Sequence, residues 1–433
     1  MERTQIMRRL LLALSALAVS TGSTAQIYDR LFQDDYQIDT TRTRTLGLEL
    51  DATAAFRDNE YTTPLTTGYT LPACILAPRL TYDPIRQIHM EVGARAIFFA
   101  GANKYPSWAY HDIVHWKGNQ YQHGFHILPW LRLQAGFFQD SRTGKSLNIV
   151  LGNIYGGQNH KLNDALWNPE TDIIQDPEMG LQILWDRKHL HMDTWVNWQS
   201  FIYKLDTHQE AFTVGSSWIV KPGNSPRYQW SIPVQIVGQH RGGEYLQGNV
   251  GSVQTMWNAS VGGTLRINDN YKVLKWQNYE INTIATWQQA GRLWNHRNGF
   301  AIHVAAEWCL WNDFGIRTGY LCAPRHFVSL YGNSLFNTQS IIPDVVTAPQ
   351  DAGATATVYQ SFHGNNTVYA HVSYSHCFAR HYTLGADVNA YYTRLGASSH
   401  TGHGDSRFNL NFGICLRVDP TIILKRFNKN KTT

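Results

Sequence analysis

Charge is scarce in this 433-residue chain: Asp, Glu, Lys and Arg make up 16% of it, against 13% aromatic residues. A half-buried sheet of a soluble protein presents a polar, usually charge-rich face to water, so the shortage argues against an ordinary soluble sandwich. Long apolar runs are missing as well. Beyond residue 25 no stretch approaches the roughly 18 residues that read as a membrane-crossing helix. If the chain lies in a membrane, it must cross as a closed barrel, because lipid offers no partner to open strand edges. Cysteine is sparse: Cys74, Cys309, Cys322, Cys377 and Cys415 are an odd, dispersed set without CxxC spacing. That excludes a disulfide framework, though a single bridge could still form. No basic block occurs, which removes the usual footprint of a nucleic-acid binder.

The first residues have a purpose of their own. Arg3, Arg8 and Arg9 precede the apolar run 10–19, and Ser23-Thr24-Ala25 stand before Gln26. A basic start, a short apolar stretch and a small-x-small site predict a cleaved secretory signal peptide over 1–25. Removing it takes away three Arg and one Glu and leaves a net charge of +3.

What is abundant is alternation. In Leu46-Gly47-Leu48-Glu49-Leu50-Asp51-Ala52-Thr53-Ala54-Ala55-Phe56 apolar residues return at every second place. Period two means a strand with two unlike faces. Such runs recur at 46–56, 70–82, 88–100, 127–138, 146–156, 178–186, 189–201 and 210–220. They continue at 228–239, 250–268, 273–288, 299–311, 314–323, 367–377, 381–392 and 406–418. After even runs come tight turns such as Asp83-Pro84, Asn268-Asp269-Asn270 and Asn312-Asp313; after odd runs come long links, notably 101–126, 157–177 and 324–366. An even count, with short turns on one side and long loops on the other, predicts an all-β transmembrane antiparallel up-and-down barrel. About 16 strands are expected and 14–18 are compatible, since Pro72 and Pro78 interrupt the second run. The expected divisions are a signal peptide 1–25, a periplasmic arm 26–45, the barrel 46–418 and a periplasmic tail 419–433.

The stretch Leu151-Gly152-Asn153-Ile154-Tyr155-Gly156-Gly157-Gln158-Asn159-His160, followed by Asp176-Pro177-Glu178-Met179-Gly180-Leu181-Gln182, resembles uncharacterised exported barrels. Over 46–418 the chain is similar to Gram-negative porin-like outer-membrane β-barrels. The resemblance implies outer-membrane location and transport, and brings no catalytic motif.

Parity turns Met90, Val92, Ala94 and Ala96 toward lipid, and so His89, Glu91, Gly93 and Arg95 inward. The same rule puts Glu91, Arg95, Arg132, Gln134, Asp193, Gln235, Arg266, Glu280, Glu307, Arg317 and Asp387 in the lumen. Read functionally, they line a water-filled path with weak ion selectivity; read structurally, they pair across a filled lumen. Trp185, Trp198, Trp230, Trp287, Tyr320, Tyr382 and Tyr392 lie toward run ends, where rings favour the membrane interface.

The first expectation is therefore a porin-like channel for passive or facilitated diffusion of small polar solutes, and not an enzyme. Asn159-His160 is the nearest approach to a hydrolase group, without a nucleophile placed beside it, and carries the alternative of a hydrolase at the barrel rim. A surface-binding or structural barrel acting through its aromatic loops (Tyr105, Trp108, Tyr110, Trp116 and Tyr121) is a further alternative. His111-Asp112 with His115, and His400, His403 and Asp405, lack the compact spacing of zinc ligands. No metal or other cofactor is expected. The expected partners are outer-membrane lipid and a small polar solute, with no nucleic acid; homo-oligomers suit a barrel of this size.

Overall fold

The computed structural model describes residues 31–100, 125–140, 143–201, 209–223, 225–243, 253–347, 355–378 and 381–427. The expected signal peptide and the aromatic loop 101–124 lie outside them. The chain forms β1 (Thr45–Glu60), β2 (Tyr69–Ile85), β3 (Ile88–Phe99), β4 (Phe125–Asp140), β5 (Lys145–Asn153), β6 (Met179–Arg187), β7 (Leu190–Ser200) and β8 (Ala211–Val220). It continues through β9 (Tyr228–Arg241), β10 (Gln254–Asn268), β11 (Leu274–Ala290), β12 (Asn298–Leu310) and β13 (Phe314–Arg325). A separate hairpin follows, β14 (Gln339–Thr347) with β15 (Thr355–Ser361). The chain then rejoins the wall as β16 (Asn365–Phe378), β17 (Tyr382–Leu395) and β18 (Asp405–Val418). Each wall strand pairs antiparallel with its neighbours, and β1 pairs with both β2 and β18, so the ring of sixteen closes.

Every expected run overlaps one wall strand. One boundary differs. Beyond β18 a short β19 (Thr421–Arg426) pairs with Thr45–Glu49 of β1, so the wall runs on into the stretch expected as tail. Pro78 is absorbed in β2 by a gap in the ladder: pairing with β3 skips Ala77 and Pro78 and resumes at Arg79 opposite Gly93. A Cβ on Gly93 would stand 2.2 Å from the Pro78 carbonyl oxygen, so this close approach needs glycine.

The two faces differ as alternation requires. Met90 and Val92 are 42% and 54% exposed while Glu91 between them is 4% exposed. Trp230, Tyr382 and Tyr392 are exposed toward the ends of their strands, as interface rings should be, whereas Tyr320 is exposed in the middle of β13.

The lumen is occupied by the protein itself. At the long-loop end its lining is apolar. Leu71, Ala73, Ile75, Ile97 and Phe99 of the wall pack on Ile173 and Ile174 of the loop between β5 and β6, and on Leu31 of the N-terminal arm. Ile284, Ala301, Leu321 and Tyr369 pack on Leu166 of the same loop and on Phe327, Leu335 and Phe336 of the loop after β13. Trp294, from the link between β11 and β12, is buried among Val237, Met256, Val328 and Tyr331. At the short-turn end the lining is polar and charged, and the arm lies across it. Arg42 donates to Glu49 at 3.0 Å and the Arg44 N–H bonds the Asp83 carbonyl, both at that end. Leu31, eleven residues before Arg42, reaches the apolar half. The segment expected as a periplasmic arm therefore rises inside the barrel from residue 44 to residue 31. Burial of Leu31 in the cluster of Leu71, Ile173 and Ile174 favours that path.

Candidate functional site

The inward charges meet one another. Glu91 accepts from Arg132 at 2.9 Å and from the Trp130 indole at 2.6 Å, and His89 lies 3.1 Å away. Arg132 also donates to the Asn153 and Ile154 carbonyls and lies over the Tyr155 ring at 3.8 Å. Gln134 bridges Asn148, Tyr155 and the Tyr36 carbonyl of the arm. Gln235 holds the loop by Asn163 and the Lys161 carbonyl. Arg317 joins Glu280, Glu307 and, at 2.9 Å, Asp164. Arg57 Nη2 donates to both Asp387 carboxylate oxygens at 2.9 Å, and its Nη1 donates to Asn411. Arg95 reaches the Asp172 carbonyl at 3.4 Å. Arg266 donates to Asn268 at 3.1 Å and lies over Trp276 at 4.2 Å. Most of these side chains knit wall to wall or wall to filling, while Glu91, Arg132 and Gln134 also line a cavity of about 200 Å³.

Arg57 and Arg417 belong to the same face, and parity from Phe56 and Leu416 would have found them. Asp164 and His303 come from a loop and a strand that only the fold joins. Asp164, Glu280 and His303 bring three ligand atoms within 4.8 Å of one another, but Arg317 already supplies the positive charge between the two carboxylates.

Asp193 leads to the centre of the filling. His160, fully buried, sets Nδ1 2.7 Å from Asp193 and Nε2 3.2 Å from Glu178, and stacks on Trp195 at 3.5 Å. Burial would lower its pKa, but Glu178 and Asp193 outweigh burial and raise it to about 10. The ring is an imidazolium at neutral pH. Glu178 is held below its ordinary value by His160 against the effect of burial, whereas burial pushes Asp172 well up. Gly156-Gly157 is what lets these carboxylates in. Glu178 accepts the Gly157 N–H at 2.8 Å and Asp172 the Gln158 N–H at 3.1 Å. A Cβ on Gly157, at φ +61°, would stand 2.1 Å from Asp172. Asn159 accepts the Asp34 N–H at 2.7 Å. The Asn159-His160 pair is thus taken up in holding the filling together, and a cation between two carboxylates cannot act as a base.

A second histidine group lies at the long-loop rim. His296 precedes β12 and His326 follows β13; their rings stack at 3.4 Å. Burial, then the charges of Arg292 and His363, lower the His296 pKa; burial, then His296, His363 and Arg325, lower that of His326. His326 Nδ1 is buried and has no hydrogen-bond partner. Neutral imidazoles with a free nitrogen beside cations can accept a proton. Sequence reading missed this pair because its members are 30 residues apart in unlike links. His400 and His403 are exposed, and His111 and His115 lie outside the described residues.

A family model described as lipid A 3'-O-deacylase-type matches residues 38–427, which takes in all sixteen wall strands. The chain belongs to that family. Its members are named for an enzymatic activity, which overturns the expectation of a barrel that is not an enzyme. No curated protein matches the chain. Among solved structures, OccAB1 of Acinetobacter baumannii has a TM-score of 0.46 at 8% identity, covering 90% of this chain and 100% of its own. OprD of Pseudomonas aeruginosa has a TM-score of 0.45 at 7% identity, with coverage of 90% and 100%. The strand register, not these resemblances, defines the fold: a closed antiparallel β-barrel of sixteen strands.

Proposed function

We propose that this protein is an outer-membrane hydrolase that removes an ester-linked acyl chain from a lipid A-type glycolipid. The family match across the whole barrel carries this reading. The packed lumen supports it, because a lipid substrate approaches the rim from the membrane and needs no path through the axis. In the reaction, water adds to the ester carbonyl, the acyl C–O bond breaks, and a fatty acid and a sugar hydroxyl leave. The His296–His326 pair is the candidate base, taking the proton of the attacking water, and Arg292 offsets charge on the carbonyl oxygen. The test is fatty-acid release from lipid A by the purified protein, with the loss of mass read on the remaining lipid. His326→Ala is expected to slow release roughly 10²–10⁴-fold. A folded protein that releases no fatty acid sinks the reading. Because both imidazoles are depressed below their ordinary value of 6.5, the active base form holds at neutral pH. Activity should hold at neutral pH and fall only at pH values below the ordinary imidazole value of 6.5.

A second reading, diffusion of small polar solutes, is favoured by one observation. Two cavities of about 200 and 90 Å³ lie in the polar half and share Asp34, Arg79, Arg132 and Arg417. Asp34 of the N-terminal arm lines both of them. Planar-bilayer recordings decide: steady conductance steps from the intact protein support this reading, and silence removes it.

A further inference from the structure

The long-loop rim carries three exposed arginines. Arg297 precedes β12, Arg325 ends β13 and Arg394 stands near the end of β17. All three are exposed, and none has an ion-pair partner among the described residues. Arg407 of β18 does have one, Asp405 at 3.0 Å. Register joins them into one arc. Arg325 is opposite Phe300 of β12, and Arg394 is opposite Asn366, which is itself opposite Cys322 of β13. At about 4.8 Å between neighbouring strands, the arc from β12 to β17 is roughly 15 Å long. Directly toward the membrane lie Phe300, Val368 and Tyr392, which are 45%, 50% and 50% exposed. A row of unpaired cations above an apolar, lipid-facing band matches an anionic amphiphile. Its acyl chains would lie on the band and its charged groups against the row.

We propose that this arc binds the phosphate groups of a phosphorylated glycolipid anchored in the outer leaflet. The inference deepens the hydrolase reading and rests on it for one point, that the bound lipid is the substrate. The lipid's phosphates, rather than free phosphate, are the assigned ligand because the apolar band continues the cation row without a break.

The test measures retention of lipid A by purified protein in detergent, read by native mass spectrometry. Wild type, R325E/R394E and R325K/R394K are compared on lipid A with its phosphates and on lipid A freed of them. Altered gel mobility on heating checks that each variant is folded. Expected is a loss of about tenfold or more on charge reversal, recovery with lysine, and weakening with added salt. Phosphate-free lipid should bind wild type no better than phosphorylated lipid binds the charge-reversed protein. Unchanged retention in R325E/R394E, or equal retention of the two lipids, overturns the proposal. So does displacement of the lipid by an equal concentration of inorganic phosphate, which would mark a free-anion site. The two readings fail separately. Phosphate-dependent binding without fatty-acid release refutes the hydrolase, while release with retention unaffected by charge reversal refutes the rim assignment.

Discussion

His160 shows how much one residue can hold. Its two nitrogens join the loop's own Glu178 to Asp193 of β7, and its face lies on Trp195. Removing the ring leaves two carboxylates buried without their cation, beside an already crowded Asp172. Breaking a buried pair in this way costs about 3–5 kcal/mol. His160→Ala is therefore expected to loosen the loop 154–178, seen as lost hydrogen-exchange protection there while the wall strands keep theirs. The pH dependence has a definite sign. The pKa of His160 rises from 6.5 to about 10 on folding, so its contribution is complete below about 6.5 and disappears as pH rises through about 10. The groups facing it are Glu178, Asp193 and Asp172. Glu178, depressed on folding, contributes above its ordinary value and is lost as pH falls below it. Exchange protection of the loop, corrected for intrinsic chemistry, should thus be greatest around pH 5–6.5. Protection that rises from pH 7 to 10 would contradict the assigned charge state.

At the scale of elements, the N-terminal arm separates two ideas of what the barrel does. It is held by side chains of four different strands. Gln134 bonds the Tyr36 carbonyl, Ser146 accepts from Gln37, Asp186 accepts from Tyr36, and Arg417 bonds Leu31 and Asp34. Deleting residues 31–39 is expected to join the two polar cavities without opening the apolar half. The deletion variant should remain non-conducting in planar bilayers while the loop 154–178 exchanges faster. Conductance on arm removal alone would show the arm to be the only barrier.

Strands were legible in the sequence because a wall between unlike media writes its period into every segment. Phe300, Ile302 and Val304 alternate with Ala301 and His303 whatever lies inside. The filling was not legible for the converse reason. Leu71, Ala73 and Ile75 are inward residues that are apolar, so their parity carries no contrast with Pro72 and Cys74 outside. Nor does alternation say what packs on them. Ile173, Ile174 and Trp294 come from links whose own sequence shows no period. Glu91 and Arg132 could be assigned inward, but their pairing at 2.9 Å is a matter of register between β3 and β4. The rim histidines needed the fold to bring residues 296 and 326 together.

On the scale of the whole molecule, the barrel has three zones: a lipid-facing band, a cationic rim above part of it, and an interior packed like a protein core. Such an interior makes the wall a scaffold, rigid enough to hold rim groups at fixed spacing. A catalytic constellation needs that more than a diffusion path does. Under the hydrolase reading, it also sets the ester and its attacking water at the boundary where water and lipid meet.

Arg417 ties that scaffold to its own assembly. It lies on β18 opposite Thr53 of β1, at the seam where the first and last wall strands meet. From there it grips Asp51, Asp34 and the Leu31 carbonyl. Seam and filling thus share one side chain, and a barrel that zips shut without its arm leaves that guanidinium short of two partners. Arg417→Ala should weaken closure itself, giving a folded band on an unheated gel that melts at lower temperature than wild type. The arm then acts as a proofreader of closure, so that only a barrel shut around its own beginning gains full resistance to heat.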